Sequence, residues 1–255
     1  MCVLAQKRID TILSIIKEQG YVTVKYLCEQ LHYSTATINR DLNELQKQKL
    51  IVRHYGGAEL RTQKGVPLVF RYHKMRPVKR LIAKRATEFI KNGMTIFIDG
   101  TTTTHYIGEY LKDFENLTVI TNNINLASNL SESGIKTVCL GGTIVEPPYM
   151  TGGSDTVNQA KSYTADVVFF SATGVSTDGK IFLGSYLELI RAMIGNSAKS
   201  VFLIDHKKLD SKDTRVLCGL EDIGVVITDL AFSEDVKIKA KNTQFIEIET
   251  PKTQR

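Results

Sequence analysis

Ser34-Thr35-Ala36-Thr37-Ile38-Asn39-Arg40-Asp41-Leu42, followed shortly by Leu50-Ile51-Val52-Arg53-His54-Tyr55-Gly56-Gly57-Ala58, is the stretch on which the reading of the chain turns. Ser34 suits an N-cap, because its hydroxyl can accept from the amides that open a helix. Ile38, Leu42 and Leu45 then recur as an apolar stripe at helical spacing. Rotation by about 100° per residue puts Ala36, Thr37, Arg40, Asn43, Glu44 and Lys47 on the opposite face, with Thr35 and Asn39 at its flanks. Short hydroxyls, an amide that can pair with adenine and an arginine that can fork onto guanine are what base-edge reading requires. An ordinary solvated helix face has the same polarity, so the segment that follows weighs in the choice. It reads as a strand ending in a diglycine turn with Arg53 and His54 at the tip, a wing able to set basic groups on phosphate or in the minor groove.

Upstream, Ile9, Ile12, Leu13 and Ile16 mark an amphipathic helix from about residue 5 to 18, with Gly20 as its stop. Val22-Thr23-Val24 leads into a second helix buried through Leu27 and Leu31. Three short helices with a tight turn between the last two make a helix-turn-helix, assigned to residues 1–60. The net charge of +6 divides as +2 over residues 1–60, +7 over 61–80 and −3 over 81–255, so the excess cations sit at the front of the chain. That asymmetry suits a polyanionic partner held by the front end. Residues 61–76, rich in cations and without sustained periodicity, are expected to form a basic linker that adds salt-sensitive affinity for DNA or serves only as a solvated connector.

Over residues 77–255 apolar runs alternate with helical stretches: 95–98, 117–120, 137–140, 167–170, 201–204 and 225–228. Such runs predict an α/β domain with a mainly parallel sheet covered on both faces. Helix-like 234–241 and strand-like 245–249 close it. Ligands of such sheets bind beyond the carboxyl ends of the strands, and polar and glycine residues gather there: Asp99-Gly100-Thr101-Thr102-Thr103-Thr104, Thr121-Asn122, Gly141-Gly142, Gly174, and Asp205-His206-Lys207-Lys208. The Gly100 to Thr103 loop, ahead of a helix, suits a phosphate, since glycine permits close backbone approach and the amides at the helix start face an anion.

The two N-terminal stretches, Ser34 to Leu42 and Tyr55-Gly56-Gly57-Ala58, resemble the signature of the DeoR family of bacterial sugar-metabolism regulators, with Asn39 in place of an arginine and Tyr55 in place of a histidine. Lys79, Ile82, Ala83, the Asp99 to Thr103 loop, Asn122, Gly141-Gly142, Asp166, Glu188 with Arg191 and Met193, and Asp205 with Lys208 are similar to that family's C-terminal sensor domain, whose sheet is related to that of ribose-5-phosphate isomerase. The resemblance implies operator contacts from Ser34, Thr35, Thr37, Asn39, Arg40, Asn43, Arg53 and His54. It also implies an effector phosphate on Gly100, Thr101, Thr102 and Thr103, neutralised by Lys208, with Gly141-Gly142 beside it. Asp99, Asn122 and Glu188 are left for sugar hydroxyls. Asp41 is expected to orient Arg40 or to bond within the module, since a phosphate would repel it. The implied function is a repressor, as a dimer or tetramer on double-stranded DNA, released by a phosphorylated sugar that prefers the unbound arrangement.

Composition narrows the alternatives. The apolar start is only a few residues long before Gln6-Lys7-Arg8, and no apolar run approaches membrane-spanning length, so neither a signal peptide nor a membrane span is expected. Cys2, Cys28, Cys139 and Cys218 lack metal-ligand spacing and read as reduced thiols of a cytoplasmic protein, with no metal or cofactor implied. An isomerase with Asp99 or Glu188 as base and Lys208 as electrostatic partner is the rival to a regulator. Fold ancestry does not decide between them, and a DNA-reading module gives the ligand site a sufficient purpose without turnover.

Overall fold

The computed structural model describes residues 3–19, 21–48, 50–60, 71, 75–146, 149–184, 186–211 and 213–249. The chain forms two compact units, Met1–Lys74 and Met75–Arg255. Most of the basic stretch 61–76 lies outside the described residues, as do Cys2 and Gly20.

The first unit contains α1 (Val3–Gln19), β1 (Tyr21–Thr23), α2 (Val24–Leu31), α3 (Thr35–Lys47), β2 (Ile51–His54) and β3 (Gly57–Leu60). Ile9, Ile12, Ile16, Leu27, Ile38, Leu42, Leu45 and Ile51 are buried together, so the apolar stripes of three helices meet in one core. The Thr23 hydroxyl accepts from the Tyr26 amide and the Ser34 hydroxyl from the Thr37 amide, which caps α2 and α3. The expected segment at 22–24 supplies a strand: β1 pairs with β3, and β3 with β2, all antiparallel. The diglycine is therefore split between two duties. Gly56 holds φ +82° in the turn, whereas Gly57 begins β3 where a Cβ would lie 2.1 Å from the Tyr21 hydroxyl.

The second unit begins with α4 (Arg76–Ala86), β4 (Thr95–Ile98), a 3₁₀ segment (Thr104–Asp113), β5 (Thr118–Thr121), α5 (Ile124–Glu132) and β6 (Lys136–Cys139). A hairpin of β7 (Thr143–Glu146) and β8 (Met150–Gly152) leads to α6 (Ser154–Lys161) and β9 (Ala165–Phe170). Then come β10 (Gly174–Val175), β11 (Lys180–Phe182), α7 (Leu187–Gly195), β12 (Ser197–Ile204), β13 (Val216–Gly219), β14 (Val225–Thr228), α8 (Glu234–Lys239) and β15 (Gln244–Glu247). The main sheet is seven-stranded and parallel in the order β15-β14-β12-β9-β4-β5-β6.

Alternation along the strands feeds two cores. Phe97, Val168, Phe170, Phe202 and Val226 pack on the face covered by α6, α7 and α8, and Ile96, Ile98, Phe169, Val201 and Ile227 on the face covered by α4, the 3₁₀ segment and α5. The runs in β4, β5, β9, β12 and β14 are thus strands buried on both sides, because alternate side chains enter opposite cores, whereas β6 lies at the sheet edge and is partly exposed. The hairpin β7-β8 and the small antiparallel sheet β10-β11-β13 were not foreseen. Their strands are short, and Gly174-Val175 carries no period that a sequence could display.

From β4 the chain builds outward through β5 and β6, then returns to the other side of β4 with β9 and continues through β12, β14 and β15. The strand order therefore reverses between β4 and β9, which opens a crevice beyond their carboxyl ends.

Candidate functional site

On the first unit α3 presents Thr35, Ala36, Arg40, Asn43 and Lys47 exposed, and Thr37, Asn39 and Glu44 half-buried. Its opposite side is sealed by Ile38, Leu42 and Leu45. Arg40 makes no hydrogen bond or ion pair among the described residues, so its guanidinium is available to a partner. Asp41 is buried and accepts from the Arg8 guanidinium at 2.5 and 3.0 Å, while Arg8 also lies 4.7 Å above the Tyr33 ring. It bonds within the module and ties α1 to α3; its partner is Arg8 and not Arg40. Asp41→Ala is expected to cost about 2 kcal/mol of stability, because it strands a half-buried cation. A urea titration checks this through a lower midpoint at unchanged slope.

The wing differs from expectation. Tyr55 and Gly56 form its tip, with Tyr55 fully exposed, and Arg53 and His54 lie on the strand behind it. Arg53 faces α3: its Nη1 donates to Asn43 Oδ1 at 2.6 Å and its Nη2 to Asn39 Oδ1 at 2.5 Å, with a longer bond from Nη1 to the Asn39 carbonyl at 3.3 Å. His54 Nε2 stands 2.9 Å from the carboxylate of Glu59, which is buried on the neighbouring strand. A basic tip fails here because a two-residue turn leaves both residues on β2, where side chains are committed to neighbouring elements.

On the second unit the loop after β4 is organised by Asp99. Its Oδ1 accepts from the Thr101 amide at 3.1 Å and hydroxyl at 2.7 Å and from the Thr104 hydroxyl at 2.5 Å, and its Oδ2 accepts from the Ser171 amide at 3.1 Å, across the β4–β9 junction. Burial pushes this carboxyl above the usual carboxylate range, and these donors pull it back. With both oxygens engaged, Asp99 is a brace for the loop and not a free partner for sugar hydroxyls or a general base. Thr101 is spent on the same brace.

Thr102 and Thr103 follow β4, Asn122 follows β5 and Lys208 follows β12 at the carboxyl ends of the sheet. The Lys79 ammonium, from the buried face of α4, donates to Thr102 Oγ1 at 2.8 Å, and the Lys208 ammonium donates to Ser171 Oγ at 2.9 Å. Asn122 donates through Nδ2 to the Thr151 carbonyl at 2.9 Å. Its Oδ1 and the Thr103 hydroxyl are buried with no hydrogen-bond partner among the described residues. Lys79 and Lys208 thus each donate to a hydroxyl in a loop just beyond a strand, β4 and β9 respectively.

Ser171 and the contribution of Lys79 escaped sequence reasoning. Lys79 did leave a signal, since it shares the phase of Ile82, Ala83 and Ala86 on the buried stripe of α4. Ser171 left none.

Three further expected effector positions have partners of their own. The Gly141 amide donates to Gln159 Oε1 at 2.9 Å and its carbonyl accepts from the Thr156 hydroxyl at 2.6 Å, so its backbone is already used. Gly142 has φ +137°, and a Cβ there would lie 2.1 Å from Thr156 Oγ1 and 2.8 Å from the Gly152 carbonyl. Gly142→Ala is accordingly expected to lower the melting temperature through about 2 kcal/mol of backbone strain and contact, read by calorimetry. Glu188 is exposed on α7 and pairs with Arg191 at 3.4 Å, one turn along the same helix. Gly100 does sit at the crevice loop, but its missing side chain accommodates Met150, whose Cε would lie 2.5 Å from a Cβ. Asp166 accepts from the Thr95 amide at 2.8 Å and fastens β9 to β4 as a structural residue.

Burial pushes the Cys218 thiol up to about 12, so it stays protonated at neutral pH. Among the described residues no cluster of His, Cys, Asp or Glu is placed to hold a metal ion, and no helix is long and apolar enough to cross a membrane.

Comparison with known proteins gives concordant matches for both units. The family model of the DeoR-like helix-turn-helix domain matches residues 8–64, and that of the DeoR C terminal sensor domain matches residues 75–230. The chain is 32% identical over 227 residues to the glycerol-3-phosphate regulon repressor of Escherichia coli (strain K12), covering 88% of this chain and 90% of that protein. It is 31% identical over 228 residues to the HTH-type transcriptional repressor GlcR of Bacillus subtilis (strain 168), covering 88% of each. Among solved structures, ribose 5-phosphate isomerase from Plasmodium falciparum aligns with 54% of each chain at 15% identity and a TM-score of 0.40.

Proposed function

This chain belongs to the DeoR family of transcription regulators, and from that membership we propose that it represses a carbohydrate-metabolism operon and is released by a phosphorylated sugar or related phosphorylated metabolite. The observation that carries the effector assignment is the pair of ammonium groups, Lys79 on Thr102 and Lys208 on Ser171, at the crevice where the strand order reverses. A phosphate dianion gains charge-assisted hydrogen bonds from such a cradle, and the buried Asn122 Oδ1 gains a partner if the same ligand brings a hydroxyl. The relatives' names, a repressor of the glycerol-3-phosphate regulon among them, support the repressor role.

The exposed face of α3 is the operator reader, with Arg40 its principal base contact and Thr35, Thr37, Asn43 and Lys47 around it. Two recognition helices of a dimer, or pairs within a tetramer, would meet successive major grooves. An effector that binds the DNA-free arrangement more tightly then lowers operator affinity by the ratio of its two affinities.

Fluorescence anisotropy on duplexes from the chain's own upstream region, at fixed salt and with a panel of phosphorylated sugars, tests the proposal. Saturable sequence-specific binding weakened by one such compound is the expected result. Binding that is only non-specific removes the operator reader, and specific binding indifferent to every phosphorylated compound removes the effector class.

A further inference from the structure

Arg53 is a cation on a DNA-facing wing, yet its guanidinium is spent on the reading helix. Asn39 and Asn43 stand four residues apart on α3 and so lie on one face, one turn above the other. Arg53 spans them, with Nη2 on Asn39 Oδ1 at 2.5 Å and Nη1 on Asn43 Oδ1 at 2.6 Å. A guanidinium carries five donors and no acceptor, so only the oxygen end of each amide can face it. An unrestrained asparagine can turn either end to a base. These two are held with their oxygens toward Arg53, which leaves the amide N–H donors as the outward edge.

We propose that Arg53 is a positioning residue for sequence reading, which orients the side chains of Asn39 and Asn43 so that both present donors to the major groove. The bases read at those steps are then ones with acceptor edges, guanine through N7 and O6 or thymine through O4. The bidentate asparagine–adenine pair, which needs the amide oxygen as an acceptor beside its N–H donor, is disfavoured. This rests on the operator-reading role of α3 and sharpens it, since it separates the base preference of two side chains from the phosphate contacts expected of a wing.

Selection of the full-length protein and its variants from a pool of randomised duplexes, followed by competition binding at several salt concentrations, tests this. Wild-type protein is expected to select guanine or thymine at the half-site steps under Asn39 and Asn43. Arg53→Ala is expected to lose about tenfold discrimination at those steps, with the dependence of affinity on salt unchanged. Arg53→Lys should not rescue it, because a single ammonium cannot fork to two oxygens. The double variant Arg53→Ala with Asn39→Ala should discriminate no worse at the Asn39 step than either single variant.

Uniform weakening on all sequences, with the salt slope reduced by about 1 for each subunit, would make Arg53 a phosphate contact and overturn the proposal. Unchanged base preference in Arg53→Ala, or adenine selected by wild type at both steps, would also overturn it. Should Arg53→Ala fail to fold by circular dichroism, Asn39→Ala and Asn43→Ala decide: relaxed guanine or thymine preference supports the proposal, and an unmoved preference rejects it. A wild-type protein that selects no sequence would instead bring down the operator-reading function itself.

Discussion

Arg40→Ala is expected to weaken specific operator binding a hundredfold or more, about 3 kcal/mol when two half-sites are lost together. The physical reason is the contrast among three arginines of one small unit. Arg8 is consumed by Asp41 and Arg53 by two asparagines, whereas Arg40 makes no hydrogen bond or ion pair among the described residues. Its truncation removes no contact that holds the fold, so the melting temperature should stay within about 2 °C of the parent. The same substitution in Arg8 would lower it. Competition between the specific duplex and a scrambled one reads the effect directly. The loss should fall on the specific duplex, and equal loss on both would place Arg40 on phosphate.

Lys208→Ala is expected to raise the concentration of effector needed for release from DNA about a hundredfold, since a charge-assisted contact to a phosphate is worth about 1.5–3 kcal/mol. Operator affinity without effector should be unchanged, because the substituted group lies in the other compact unit. Effector titrations followed both by direct binding and by loss of anisotropy on DNA separate the possible outcomes. Weakened binding by both readouts assigns Lys208 to the site. Unchanged effector binding with no release would assign it to the coupling between sites and would leave the phosphate to Lys79. Linkage sets a consistency condition: operator DNA must weaken effector binding by the same factor by which effector weakens operator binding.

All six apolar runs of the larger unit are strands; five are buried on both faces and so write themselves as unbroken apolar segments, and the sixth is the half-exposed edge strand β6. The stripes of α1 and α3 were equally plain. At the crevice, Thr102, Thr103, Asn122 and Lys208 were legible as polar residues beyond strand ends, and Asp99 was legible in place but not in role. Nothing in Asp99-Gly100-Thr101 says whether a carboxylate faces a ligand or turns back on its own loop. Four donors converge on it, one of them the Ser171 amide just beyond β9, distant in sequence. Gly141-Gly142 show the same ambiguity for glycine, which signals close approach without saying what approaches; here it is Thr156 and Gly152.

By itself the sequence determined the apolar stripes of the helices in the first unit and the strands of the parallel sheet in the second. All of these follow from periodicity and local chemistry, which a chain carries in its order of residues. The tertiary structure alone decided which polar groups remain available. Arg53, Asp41, Asp99, Gly141 and Glu188 look as available in sequence as Arg40 and Thr103. The difference arises when distant segments meet, since a buried or crowded polar group must satisfy its hydrogen bonds with whatever the fold brings beside it.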